Sequence, residues 1–152
     1  MKVYLDVCSL CRPFDDQRFY RIRMEAEAVI AVLNGCMGGW KLITSEAIEF
    51  EIANIPGEEK RRSVENFLQF AQERIMIDEV IVNRARMFCG MGIGAFDALH
   101  LASAESAGAV FLTTDDALVK VIMRHSDKIS IEIHNPVEWL MEVTANGSKD
   151  DQ

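Results

Sequence analysis

The chain lacks a second close cysteine pair, any histidine pair and any long apolar run. Each absence excludes something. Of the 4 cysteines only Cys8 and Cys11 form a C-x-x-C pair, while Cys36 and Cys89 stand alone. His100, His125 and His134 are scattered singly. A structural zinc site needs a second close pair, so none is expected, and reduced cysteines in a cytosolic protein are the simplest reading. No apolar stretch approaches the roughly 18 residues of a membrane span. The opening Met1-Lys2-Val3-Tyr4-Leu5-Asp6 places an acid too early for a secretory leader, so a cytoplasmic protein with no membrane partner is expected. Positive charge is scarce too: 16 Lys and Arg face 24 acids, for a formal charge of −8. That argues against a broad basic surface for nucleic acid. It leaves room for a site that holds phosphates through cations and a few arginines.

The 152 residues are 49% hydrophobic and 26% charged, the balance of one domain with a real core. That domain is expected over residues 1–145, followed by a polar, disordered tail over 146–152. Strand and helix patterns alternate, as in an α/β domain. Strands are expected at 2–6, 41–44, 75–77 and 109–113, with an alternating edge strand at 129–133. A loop is expected through Arg12-Pro13-Phe14-Asp15-Asp16, then a helix from Phe19 to Asn34 stopped by Gly35, Gly38 and Gly39. Further helices are expected after Ser45, over 58–72, up to Cys89, and over 95–107, 116–123 and 137–143.

Short continuous apolar runs such as Val3-Tyr4-Leu5 and Ala109 to Thr114 read as strands buried on both faces of a parallel sheet. Asp6 ends the first run and Asp115 follows the second, which places both acids at the sheet edge where ligands bind. Glu51 joins them by helical phase. Ala47, Ile48, Ile52 and Ile55 form one apolar stripe, and Glu51 falls inside it, where a carboxylate is costly unless paired or bound to metal. An arginine or backbone donor would equally satisfy it. Asp97 opens a helix after a glycine-rich break, and taken alone it reads as an acid favoured by the macrodipole. Asp115 and Asp116 likewise read as helix caps. Gathered at one edge, such acids repel one another and call for a cation.

The segments Leu5-Asp6-Val7, Ile43-Thr44-Ser45 through Glu51, Asp97-Ala98-Leu99-His100-Leu101-Ala102-Ser103-Ala104 and Thr113-Thr114-Asp115 resemble, in order and spacing, the motif series of PIN-domain nucleases. The resemblance covers about residues 2–140. It implies a three-layer α/β/α sandwich with a central, mainly parallel sheet. It implies a Mg²⁺- or Mn²⁺-dependent ribonuclease, many single-domain members being toxins of the VapC type paired with an antitoxin protein. By position, Asp6, Glu51, Asp97 and Asp115 match the acidic catalytic and metal-site residues. Asp116 is an adjacent metal candidate, and Thr113 matches a hydroxyl residue lining the site. Arg12, just beyond Asp6, is a candidate for holding RNA. The chain departs from the family in carrying Val7-Cys8-Ser9 after the first Asp, where a small hydroxyl residue followed by Asn or Ser is common. Ser9 or the backbone is left to support Asp6. A homodimer is compatible with the many exposed helices.

The residue types suit this chemistry. Mg²⁺ prefers oxygen ligands and keeps several waters, and one or two such ions activate water for in-line attack on a phosphodiester. Competing readings fare worse. A haloacid-dehalogenase-type phosphatase needs a second Asp where Cys8 stands. A thioredoxin-like use of Cys8-Ser9-Leu10-Cys11 leaves Glu51 and Asp97 unexplained. A catalytically weak or inactive PIN-like protein that binds or regulates RNA shares every acid with the enzyme.

Overall fold

The computed structural model describes residues 1–150, with side chains described through Asn146. Five strands form one sheet in the order β3-β2-β1-β4-β5, every pair parallel. They are β1 (Lys2–Leu5), β2 (Lys41–Ser45), β3 (Ala71–Ile75), β4 (Val110–Leu112) and β5 (Ile133–His134). β1 is central, and Val3, Tyr4 and Leu5 are fully buried there, which explains its unbroken apolar run. Helices cover both faces and complete the α/β/α sandwich.

α1 (Val7–Cys11) begins directly after β1, where a loop was expected, and a 3₁₀ turn over Arg12–Phe14 continues it. The helix can start at once because Asp6 caps it, accepting from the Ser9 amide at 3.0 Å. α2 (Tyr20–Met37) runs through Gly35, the first expected stop, and ends at Gly38. Gly35 is there for packing: a Cβ on it would lie 2.3 Å from the Trp40 ring. Trp40 in turn meets Trp139 edge-on at 5.0 Å, joining α2 to α8 (Pro136–Asp150).

α3 (Glu46–Ala53) starts on a Ser45 cap, and α4 (Glu58–Phe67) ends in a 3₁₀ turn short of the expected residue 72. β3 therefore comes earlier than expected, since Thr44 and Ser45 pair with Arg74 and Ile75. α5 (Glu79–Gly90) packs on α6 (Ala95–Ala107), and α7 (Asp116–Arg124) follows β4. β5 keeps only Ile133 of the expected 129–133 strand and adds His134, the two pairing with Phe111 and Leu112 of β4. Ile129 still reaches the core from the preceding loop. At the other end α8 continues as helix to Asp150, and the last two residues of the tail expected over 146–152 lie outside the described residues. Among the described residues, no helix is long and apolar enough to cross a membrane.

The Arg12–Asp15 segment has a structural role. Glu25 on α2 is buried, and its carboxylate accepts from Arg12 Nε at 3.0 Å, Arg21 Nε at 3.3 Å and Asn135 Nδ2 at 2.6 Å. Arg12 also reaches Asp15 at 3.1 Å, and Asp15 accepts from Lys60 at 2.9 Å. The Phe14 and Phe67 rings meet at 5.5 Å. The segment thus fastens α1 to α2 and α4.

Gly35→Ala should destabilise the fold by about 1–3 kcal/mol despite alanine's better helix propensity, because the ring must move. A lowered urea midpoint with unchanged slope is the expected result.

Candidate active site

The strand order places β4 beside β1 on the side away from β2, so the crevice at their carboxyl ends is a topological switch point. Leu5 pairs with Leu112, and the Asp6 amide donates to the Leu112 carbonyl at 3.2 Å. The turns that carry Asp6 and Asp115 therefore lie side by side.

Asp6 is buried, 3% exposed. Burial pushes its carboxyl above the ordinary range, while bonds from Thr113 and from the amide and hydroxyl of Ser9 oppose the rise. Ser9 thus supplies the support that Val7 and Cys8 cannot. Thr113 is fully buried, and its hydroxyl serves both turns: it bonds Asp6 and accepts from the Asp115 amide at 3.1 Å. Thr113, expected to line the site, is sealed in and placed to position two acids. Asp115 caps α7, accepting from the Leu118 amide at 3.2 Å.

Asp97 stands half-buried in the first turn of α6. Burial raises its pKa, and the charges of Asp115 and Glu51 add to the rise. Glu51 on α3 is half-exposed, and its Oε1 lies 3.3 Å from His100 Nε2. A histidine, rather than the arginine or backbone donor considered from sequence, is its partner.

Cys8 on α1 is exposed and feels the charges of all four acids. Its thiol is pushed upward first by desolvation, then by Asp6, Glu51, Asp97 and Asp115. Partial burial raises Cys11, and neither cysteine forms a disulfide. A redox-active pair needs a lowered thiol pKa, the opposite of what this setting imposes.

Two expected site residues are engaged by other side chains. Asp116 is exposed and takes both Arg21 guanidinium nitrogens, at 2.7 and 2.8 Å, which hold its pKa down. Arg12 is committed to Glu25 and Asp15. Sequence reasoning missed Tyr4, Ser45 and His100, which back the cluster. Their signal was spacing: Tyr4 lies two residues before Asp6, and His100 lies three after Asp97 on one helix face.

The acids do not close on a common point. Among the described residues, no three His, Cys, Asp or Glu side chains are grouped so as to hold one metal ion. The donor set nonetheless suits a hard cation: it is all oxygen, and Asp6 and Asp97 are held in a setting that disfavours their charge. Mg²⁺ commonly takes only one or two protein carboxylates and completes its shell with water. A four-carboxylate cage is not what these side chains make.

No family model and no curated protein matches the chain. Solved structures do. Neisseria gonorrhoeae FitAcB aligns over 90% of this chain and 98% of its own, with TM-score 0.60 and 17% identity. VapBC-1 from nontypeable Haemophilus influenzae aligns over 90% and 98%, with TM-score 0.58 and 17% identity. VapBC2 from Rickettsia felis, bound to a DNA fragment from its promoter, aligns over 89% and 98%, with TM-score 0.58 and 13% identity. The architecture is thus the PIN-like α/β/α fold that the sequence resemblance implied.

Iodoacetamide should alkylate Cys8 slowly at pH 8, because its raised pKa leaves little thiolate. The pH–rate midpoint should lie above the ordinary thiol value of about 8.5, and Asp97→Asn should bring it down. An ordinary profile in the unsubstituted chain, read by mass spectrometry, would show that the acids do not bear on Cys8.

Proposed function

We propose that the chain is a ribonuclease that depends on a divalent cation, Mg²⁺ or Mn²⁺, and hydrolyses RNA phosphodiester bonds with water as nucleophile. The observation that carries this reading is the pairing of β1 with β4, which sets the Asp6 and Asp115 turns side by side at the sheet's switch point, with His100, on the same helix as Asp97, 3.3 Å from Glu51. Asp6, Asp97 and Asp115 would hold the cation, with Glu51 completing the set directly or through water. When bound, the cation supplies Lewis-acid activation of water and neutralises charge on the phosphate. The chain's own residues do the rest. Thr113 and Ser9 fix Asp6, and the Thr113 hydroxyl keeps the Asp115 turn in register with it. Phe50 and Phe96, each immediately before a site acid in sequence, are exposed and stacked at 5.7 Å. Such rings offer unpaired bases a stacking face, which favours a single-stranded RNA.

The likeness in fold to FitAcB and the VapBC structures supports a toxin role, with a small antitoxin as partner. Self-association into a homodimer and a cytoplasmic setting belong to the same reading. The open arrangement of the acids favours a second reading, a catalytically weak PIN-like protein that binds or regulates RNA.

Titration with Mn²⁺, then RNA cleavage with and without EDTA, separates the two. The enzyme reading expects heat of binding and cleavage abolished by EDTA and by Asp6→Asn. Binding of RNA without cleavage under any divalent cation selects the second.

A stability measurement gives an independent check. The Asp97 carboxyl is raised in the folded state, so its ionisation costs stability at neutral pH, a cost that disappears as pH falls below the folded pKa. In EDTA at pH 7, Asp97→Asn should raise Tm, by about 2–4 °C per kcal/mol relieved. Mn²⁺ should raise the unsubstituted protein's Tm more than the variant's. A lower Tm for Asp97→Asn in EDTA would contradict the repulsion.

A further inference from the structure

A continuous line of hydrogen bonds runs behind the acids. Ser45 Oγ accepts from the Ile48 amide at 3.1 Å, capping the helix that bears Glu51. The same oxygen lies 2.6 Å from Tyr4 Oη. Tyr4 Oη lies 2.7 Å from His100 Nδ1, and His100 Nε2 lies 3.3 Å from Glu51 Oε1. Tyr4, Ser45 and His100 are all buried, at 0%, 0% and 1% exposure. Groups so deep must spend their protons on one another.

The proton order follows from counting. Among the described residues the buried Ser45 proton has Tyr4 Oη as its acceptor, so that proton goes to Tyr4 Oη. The Tyr4 proton then goes to Nδ1, and a neutral imidazole carries its own proton on Nε2, facing Glu51. Reversing the order puts the ring proton on Nδ1 and turns a bare Nε2 lone pair toward a carboxylate, two acceptors in contact. Only the first order satisfies every member. The chain joins β1, β2, α6 and α3, so it couples the cap of one helix to a side chain nearly two turns further along it.

We infer that His100 is a positioning residue for Glu51, locked by Tyr4 and Ser45 in the tautomer that carries its proton on Nε2. One lone pair of Glu51 Oε1 is thereby fixed, and the carboxylate is turned to one orientation with its other lone pairs left for a cation or its water. Second partners of this kind orient ligating groups, and their loss typically weakens metal binding about 10–100-fold. The role toward a cation rests on the reading of Glu51 as part of a cation site; the tautomer does not.

The test has two arms. In the cation-free protein at pH 8, ¹⁵N-edited NMR of ¹⁵N-histidine should show His100 with its proton on Nε2. Its signal is assigned by loss in His100→Gln. Tyr4→Phe should release the lock and give mixed tautomers, with the His125 and His134 signals unmoved as evidence of an intact fold. An Nδ1–H ring in the unsubstituted chain, or an unchanged tautomer in Tyr4→Phe, overturns the lock. In the second arm, His100→Leu should weaken Mn²⁺ binding about 10-fold or more, and His100→Gln, which keeps an N–H donor, should restore part of it. Equal Mn²⁺ affinity in all three overturns the positioning role. No Mn²⁺ binding by the unsubstituted chain overturns the cation reading and the role toward it, with the tautomer decided by the first arm.

Discussion

The parallel pairing of β1 with β4 is the constraint on which the rest depends. It brings together residues more than a hundred positions apart, and a single amide bond, Asp6 to Leu112, sets the height at which the two strands end. From that height follow the adjacency of the Asp6 and Asp115 turns and the reach of the Thr113 hydroxyl to both. Shift the pairing by one residue and each strand side chain would turn to the opposite face. The buried Tyr4, stacked on Phe111 at 5.5 Å, would then lose its aromatic neighbour and its bonds to Ser45 and His100. Core packing and site geometry are therefore specified by the same contacts.

A second network, ionic rather than neutral, fixes the periphery. Glu25 is an acid in the middle of an amphipathic helix, only 1% exposed, and its cost is offset by Arg12, Arg21 and Asn135. Removing one partner from such a group is far more damaging than replacing the whole set. Arg21 then reaches on to Asp116. Two charges that look available in sequence, Arg12 and Asp116, are both members of this chain of pairs, which runs past Arg12 to Asp15 and Lys60.

Much of this was legible beforehand, for identifiable reasons. Period and run length are local properties, so the strands at 2–6 and 109–113 and the helix at 95–107 were readable with their boundaries nearly right. Strand-end chemistry placed Asp6 and Asp115 at one edge, and helical phase singled out Glu51. What sequence does not carry is the direction of a side chain across the fold. Thr113 and Arg12 could be assigned to substrate, and Asp116 to metal, because nothing local says that one is sealed in and the others are already paired. Gly35 looked like a helix stop because the Trp40 ring that demands it sits on the next strand's approach. His100 looked solitary because its partners come from three other elements.

Asp6 has two duties, as a site acid and as the cap of α1. Five residues make too short a helix to hold itself, so its first turn leans on that carboxylate. Folding of this turn and the charge state of the crevice are consequently one equilibrium rather than two. Whatever draws the carboxylate away, a proton or a competing ligand, loosens the Ser9 amide from its acceptor. The exchange rate of that one amide hydrogen is thus a gauge, built into the backbone, of what the crevice holds.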